Sequence, residues 1–248
     1  MDQTTNHLAR FVNRMPPIIF KGRYPTPLQS FPSQRRFLST LALILFSCCA
    51  VWGQHDCVLK KERDSIKVYT CASALLKFKS IKATFTVNAR LSQLAAFVLD
   101  INNYCDWQYN TIRASLLQKI NEQEVIYYTE IAAPWPAGNR DMIVDLQVSQ
   151  DSKTKVMTIT AKGVPQWAPE NNHLIRVPLS CATWTVIPLS PSHLKVEYFI
   201  EIDPGGLVPA WMVNLVSAQA PYDSFKTLKD KIRQRKFMNA KVPFIQDY

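Results

Sequence analysis

Asp141–Ser149 reads DMIVDLQVS, and its alternation decides the architecture. Met142, Val144, Leu146 and Val148 fall on one parity, with Asp141, Asp145, Gln147 and Ser149 on the other. Successive side chains of an extended strand point to opposite faces, so the stretch predicts a strand with one dry face and one wet face. Leu194–Ile202 repeats the pattern: Leu194, Val196, Tyr198, Ile200 and Ile202 oppose Lys195, Glu197 and Glu201. Strands wetted on one side belong to an antiparallel sheet, because parallel α/β cores are covered on both faces.

Working outward, Ile66–Cys71, Phe78–Val87, Arg113–Ile120, Val125–Ala132, Val156–Gly163 and Ala182–Ile187 read as further strands bounded by turn residues. Leu91, Leu94, Ala95, Val98 and Leu99 recur at helical spacing and predict one early helix over 91–99. A late helix is expected from Pro209 to Phe237, with Trp211, Leu215, Ala218, Tyr222, Phe225 and Leu228 stepping by three and four. Pro209 suits a first helical turn, whereas Pro221 deletes an interior hydrogen bond and predicts a bend. The class expected is α+β, a curved antiparallel sheet around a long C-terminal helix. Such a pair encloses space between its layers, and a ligand is expected there.

Composition narrows the function. The 248 residues are 47% hydrophobic and 19% charged, enough apolar material for a sizeable core. Six glycines, with no GxGxxG and no GxxxxGK[ST], argue against dinucleotide and P-loop sites. The net charge of +10 is split between residues 1–53, where six basic side chains face only Asp2, and a mildly basic remainder. No basic run is interleaved with stacking aromatics, so nucleic acid is not expected as a partner.

Arg35 and Arg36 precede the uncharged run FLSTLALILFSCCAVW, Phe37–Trp52. A basic segment followed by an apolar core and small residues predicts a secretory signal, with a leader at 1–53 and one domain at 54–248. The product would be periplasmic or secreted. The alternatives are an uncleaved anchor through 37–52, although the run is short of the about 20 residues of a bilayer span, and lipidation at Cys48. Cys57, Cys71, Cys105 and Cys181 form no CxxC and fit no zinc spacing. One disulfide is compatible with an oxidising compartment, while buried free thiols are expected for Cys71 and Cys181.

Four blocks then carry a family. Asn103-Tyr104-Cys105-Asp106-Trp107, Pro134-Trp135-Pro136 with Arg140-Asp141, Trp184-Thr185-Val186-Ile187-Pro188, and Asp203-Pro204-Gly205-Gly206 running into Pro209-Ala210-Trp211-Met212-Val213-Asn214 occur in order. Together with Ala220-Pro221-Tyr222 they resemble the START domains, the lipid-transfer domains related to the steroidogenic acute regulatory protein. The resemblance covers roughly Asp64–Arg233 and implies a helix-grip fold with an internal hydrophobic tunnel. It further implies a lipid or sterol-like ligand bound non-covalently and no cofactor; the cysteine spacing, for its part, gives no metal site. Met142 and Met212 stand where an aromatic and a leucine are expected, which alters the cavity.

On that reading Trp107, Trp135, Trp184 and Trp211 are candidate tunnel walls, with Tyr128, Met142, Tyr198, Leu215 and Tyr222 beside them. Core packing selects the same residue types. Arg140 could hold a polar head group with Glu130 as counter-charge, or could form a structural bridge; a buried arginine needs a partner either way. Gly205-Gly206 is either a hinge or a sharp turn. Cations from Lys226 to Lys236 suit either anionic head groups or a helix C-terminus. A monomer making transient membrane contact is expected. Scattered histidines and no HExxH or GxSxG argue against catalysis; the alternative is a cyclase- or hydrolase-like use of Glu130, Asp141 or His173.

Overall fold

A computed structural model describes residues 57–73, 79–208 and 210–248. The expected leader, signal segment and Cys48 lie outside the described residues. In chain order the elements are β1 (Cys57–Arg63), β2 (Ile66–Cys71), β3 (Ser80–Val87), α1 (Leu91–Leu99), β4 (Thr111–Lys119), β5 (Glu124–Ile131), β6 (Arg140–Gln150), β7 (Met157–Gly163), β8 (Ile175–Arg176), β9 (Leu179–Ser190), β10 (His193–Asp203), α2 (Ala210–Lys231) and α3 (Arg235–Met238). Short 3₁₀ turns occupy Ile101–Asp106 and Pro165–Trp167.

The strands form one sheet in the order β1-β2-β3-β10-β9-β7-β6-β5-β4, antiparallel throughout that path, with the two-residue β8 running parallel to the start of β6. The last strand therefore lies beside β3, and α1 sits in the crossover from β3 to the far edge at β4. Period-two burial appears as expected: Ile81, Ala83, Phe85 and Val87 of β3 point into the same core as Val144, Leu146 and Val148 of β6. That face, called inner below, packs on α1 and on the second half of α2.

Leu91, Leu94, Phe97 and Val98 fill one end of the core, and Phe225 of α2 fills the middle. Phe225 stacks on Phe85 at 4.6 Å and meets Trp184 and Tyr198 edge-on at 5.3 and 5.1 Å between ring centroids. Trp107 bridges this group to Phe97 and Tyr104, 5.3 Å from each ring. Asp247 closes the far end by accepting hydrogen bonds from the Ser92 amide, the Ser92 hydroxyl and Arg90.

Several expectations change. The edge strand β1 was not anticipated, because its residues carry no alternation and stay largely exposed. Cys71 is buried but not a free thiol: it is joined to Cys57, its cross-strand partner. Cys181 is free and exposed, since it lies on the outer parity of β9. The late helix stops at Lys231 and restarts as α3, while the strand expected at 182–187 extends over twelve residues. Pro221 lies inside α2, as expected.

The β1–β2 hairpin clasps this helix. Asp64 and Ser65 form its two-residue turn with φ of 53° and 59°, the left-handed pair that matches the twist of flanking strands. The Tyr222 hydroxyl donates to Asp64 Oδ2 at 2.5 Å, and Lys229 Nζ to the Asp64 carbonyl at 2.7 Å. Lys61 Nζ donates to Gln219 Oε1 at 2.7 Å and lies 3.8 Å from the Tyr222 ring centroid. The contacts fall on both sides of Pro221.

Candidate functional site

Inner-face burial is uneven along the strands. Ile159 of β7, Val186 of β9 and Val196 of β10 have no exposed surface. Toward the end of the sheet where β10 delivers the chain to α2, the inner-face residues Met142, Ala161, Tyr198, Ile200 and Ile202 retain partial exposure. All five lie on interior strands, on the helix side of the sheet, so their exposure does not come from the sheet's rim. Small side chains line this end: Ala161 pairs with Ala182 across β7 and β9, and the side-chain position of Gly163 is taken up by the Ser180 hydroxyl, 2.7 Å from where a Cβ would stand. Burial pushes the Tyr198 phenol well above its usual titration range. Thr129, paired with Met142, has a buried hydroxyl with no hydrogen-bond partner among the described residues.

Arg140 opens β6 at the same end of the inner face. Its parity is that of Met142, and its cross-strand partner Ile131 shares the parity of Tyr127. The residue is 6% exposed. Its guanidinium donates to the carbonyl of Gly138, and at 3.5 Å to those of Pro204 and Gly205. It thus spans the loop before β6 and the loop before α2. These loops also share Ile175: a Cβ at Gly138 would lie 3.6 Å from Ile175 Cδ1, and one at Gly206 3.1 Å. Gly205 and Gly206 have φ of +66° and +61°, so this is a packed left-handed turn that needs glycine.

Asp141 points to the other face. Arg176 donates to both of its carboxylate oxygens at 2.9 Å, with side chains 4% and 1% exposed respectively. Arg176 also donates to the carbonyls of Pro165, Ala168 and Pro169, which folds the loop before β8 onto the outer face. The Asp141 hydrogen bonds hold the Arg176 guanidinium above its ordinary pKa, whereas burial pulls that of Arg140 down.

The structure brings only part of the expected set together. Arg140, Met142 and Tyr198 face the inner side at or near the partly exposed end. Trp107 and Trp184 are buried in the aromatic cluster, Trp184 touching Tyr198 at 5.3 Å between centroids. Tyr222 is committed to the hairpin clasp. Tyr128 and Glu130 are on the outer parity of β5, opposite Ile143 and Asp141, which removes Glu130 as counter-charge to Arg140. Trp135 is 90% exposed at a loop tip, so it is no tunnel wall here. The side chains of Trp211 and Leu215, like Pro209, lie outside the described residues. Sequence reasoning missed Thr129, Ala161 and Ile200, although parity with Tyr127, Ile159 and Tyr198 points to them. Arg176 carried no signal, since its partner is fixed by tertiary folding.

With this geometry in view, comparison with known proteins decides the family. A profile described as START domain matches residues 49–236. The chain belongs to the START-domain family. This START chain is 26% identical over 198 residues to an uncharacterised protein of Pseudomonas aeruginosa, covering 80% of the chain and 97% of that protein. It is 26% identical over 147 residues to the phosphatidylcholine transfer protein of Rattus norvegicus, covering 57% and 65% respectively. Its fold is similar to a STAR-related lipid transfer protein from Xanthomonas axonopodis, with a TM-score of 0.66 at 24% identity over 72% of this chain and 99% of that one. It is also similar to human StAR-related lipid transfer protein 5, at 0.59 and 17% identity over 79% and 94%. These are likenesses of the helix-grip fold.

Proposed function

We propose that this START domain binds one lipid-like molecule non-covalently between the inner face of its sheet and α2, and carries it between membranes. The observation that supports this best is the partial exposure of Met142, Ala161, Tyr198 and Ile200 on interior strands, beside neighbours with no exposure at all. Methyl groups, a thioether and one phenol suit desolvated apolar contact at about 25 cal/mol per Å² before ordering costs. None of these groups is a base, which favours carrying over turnover. The phosphatidylcholine transfer proteins among the relatives point the same way. Trp135 and Leu207, 90% and 94% exposed on the two loops that Arg140 joins, are suited to transient membrane contact. Export through the segment at 37–52 would place this work in the periplasm or outside the cell.

The test is native mass spectrometry of the full chain purified from cells, followed by organic extraction. A co-purifying molecule of lipid mass, released intact by solvent, is the expected result. An empty protein that also takes up neither a fluorescent phospholipid nor a fluorescent sterol would overturn the reading.

A further inference from the structure

Arg140 differs from the other buried arginine in one respect: no carboxylate answers it. Asp141 is spent on Arg176 across the sheet, Glu130 is on the outer face, and among the described residues no ion pair reaches Arg140. Asp203, the last residue of β10, accepts from the Gly205 amide. The firm partner of Arg140 is the Gly138 carbonyl; the contacts to Pro204 and Gly205 are at the 3.5 Å limit. A guanidinium has more donors than these contacts occupy. A cation held 6% exposed with only dipoles for company keeps much of its desolvation cost.

The rest of the inner face sharpens the contrast. On β3, β5, β6, β7, β9 and β10 the strand parity sends Lys82, Glu130, Asp141, Asp145, Lys162, Lys195, Glu197 and Glu201 outward. Arg140 is the charged residue of those strands that starts the inner face, at its partly exposed end. The sequence of α2 from Ala210 to Tyr222 contains no charged residue. Among the described residues of these strands, the inner face is thus neutral but for one positive charge at one end.

We propose that the ligand is an anionic amphiphile, its carboxylate or phosphate head group received by Arg140 and its hydrocarbon laid along Met142, Ala161, Tyr198 and Ile200. This assignment rests on the lipid-binding reading above. The head group would replace the two long carbonyl contacts with shorter bonds in which acceptor as well as donor is charged, and a planar anion can take them in pairs. Among the described residues no carboxylate on this face is placed to take the positive end of a zwitterion, so a choline head group gains less than a phosphate monoester does.

The test compares matched pairs on delipidated full-length protein by native mass spectrometry from equimolar mixtures. Palmitic acid is set against methyl palmitate, and lysophosphatidic acid against the monoacylglycerol of the same chain, with lysophosphatidylcholine as a third competitor. The expected result is an occupancy ratio of about tenfold or more for the charged member of at least one pair. The pair with the larger ratio names the head group. Arg140→Gln should collapse that ratio, and Arg140→Lys should retain part of it. Equal occupancy of charged and neutral members in the unaltered protein overturns the assignment whether or not the variants fold, while leaving the carrier reading standing. Lysophosphatidylcholine equalling lysophosphatidic acid overturns it too. If no member of any pair binds, the carrier reading itself fails.

Discussion

Replacing Asp141 with alanine removes the carboxylate that, among the described residues, is ion-paired with the buried Arg176. Arg176 and Asp141 have side chains 4% and 1% exposed, joined by two parallel hydrogen bonds of 2.9 Å. Breaking a buried pair by deleting one partner costs about 3–5 kcal/mol, because the remaining charge is left desolvated. Three loop carbonyls still accept from Arg176, but they are dipoles and return only part of that loss. For a domain of this size the expected fall in Tm is about 6–20 °C. Urea unfolding followed by tryptophan fluorescence reads the change directly, since Trp107 and Trp184 lie in the core, and the midpoint should drop with an unchanged slope. The double variant Asp141→Leu with Arg176→Met removes both charges and should lie closer to the unaltered protein than Asp141→Ala does. A loss below about 1 kcal/mol for the single variant, the range of exposed pairs, would refute the claim that this pair fastens the loop to the sheet. A double variant less stable than the single would refute it as well.

Phe225→Ala should destabilise by about 3–5 kcal/mol, because its ring contacts Phe85, Trp184 and Tyr198; chemical denaturation gives the value, and a loss under 1 kcal/mol would contradict the packing. The Tyr222 hydroxyl holds the Asp64 carboxyl below its ordinary value of 3.8. A depressed carboxylate contributes stability that is present above its unfolded pKa, about 3.9, and is lost as pH falls through the lower folded value. Asp64→Asn should therefore lower Tm at pH 6 and converge with the unaltered protein in strong acid; a difference that persists unchanged at low pH would count against the clasp. Trp135→Ala should leave stability within about 0.5 kcal/mol, as for other exposed positions, while weakening sedimentation with liposomes. Unchanged liposome binding would remove that loop from the membrane contact.

What was legible in the sequence is what alternation encodes. Met142, Val144, Leu146 and Val148 share the inner face because a strand has no other way to point them, and the same rule explains Leu194–Tyr198. It also separates Tyr128 and Glu130 from Tyr127 and Thr129, since neighbours on a strand cannot both face the ligand. The loops obey no such period. Arg140 and Asp141 are adjacent in the chain, yet one ends among the carbonyls of Gly138, Pro204 and Gly205 and the other against Arg176, 35 residues later. Their opposed directions follow from the strand; their partners follow only from where the loops before β8 and α2 come to rest. Edge strand β1 was illegible for a related reason. CVLKKER buries almost nothing, so burial leaves no pattern in it, and its place is set by backbone pairing to β2, by the Cys57–Cys71 bond and by the contacts of Lys61 and Asp64 with α2. The site inherits both kinds of information: parity supplies its apolar floor, and loop packing supplies the single charge at its end.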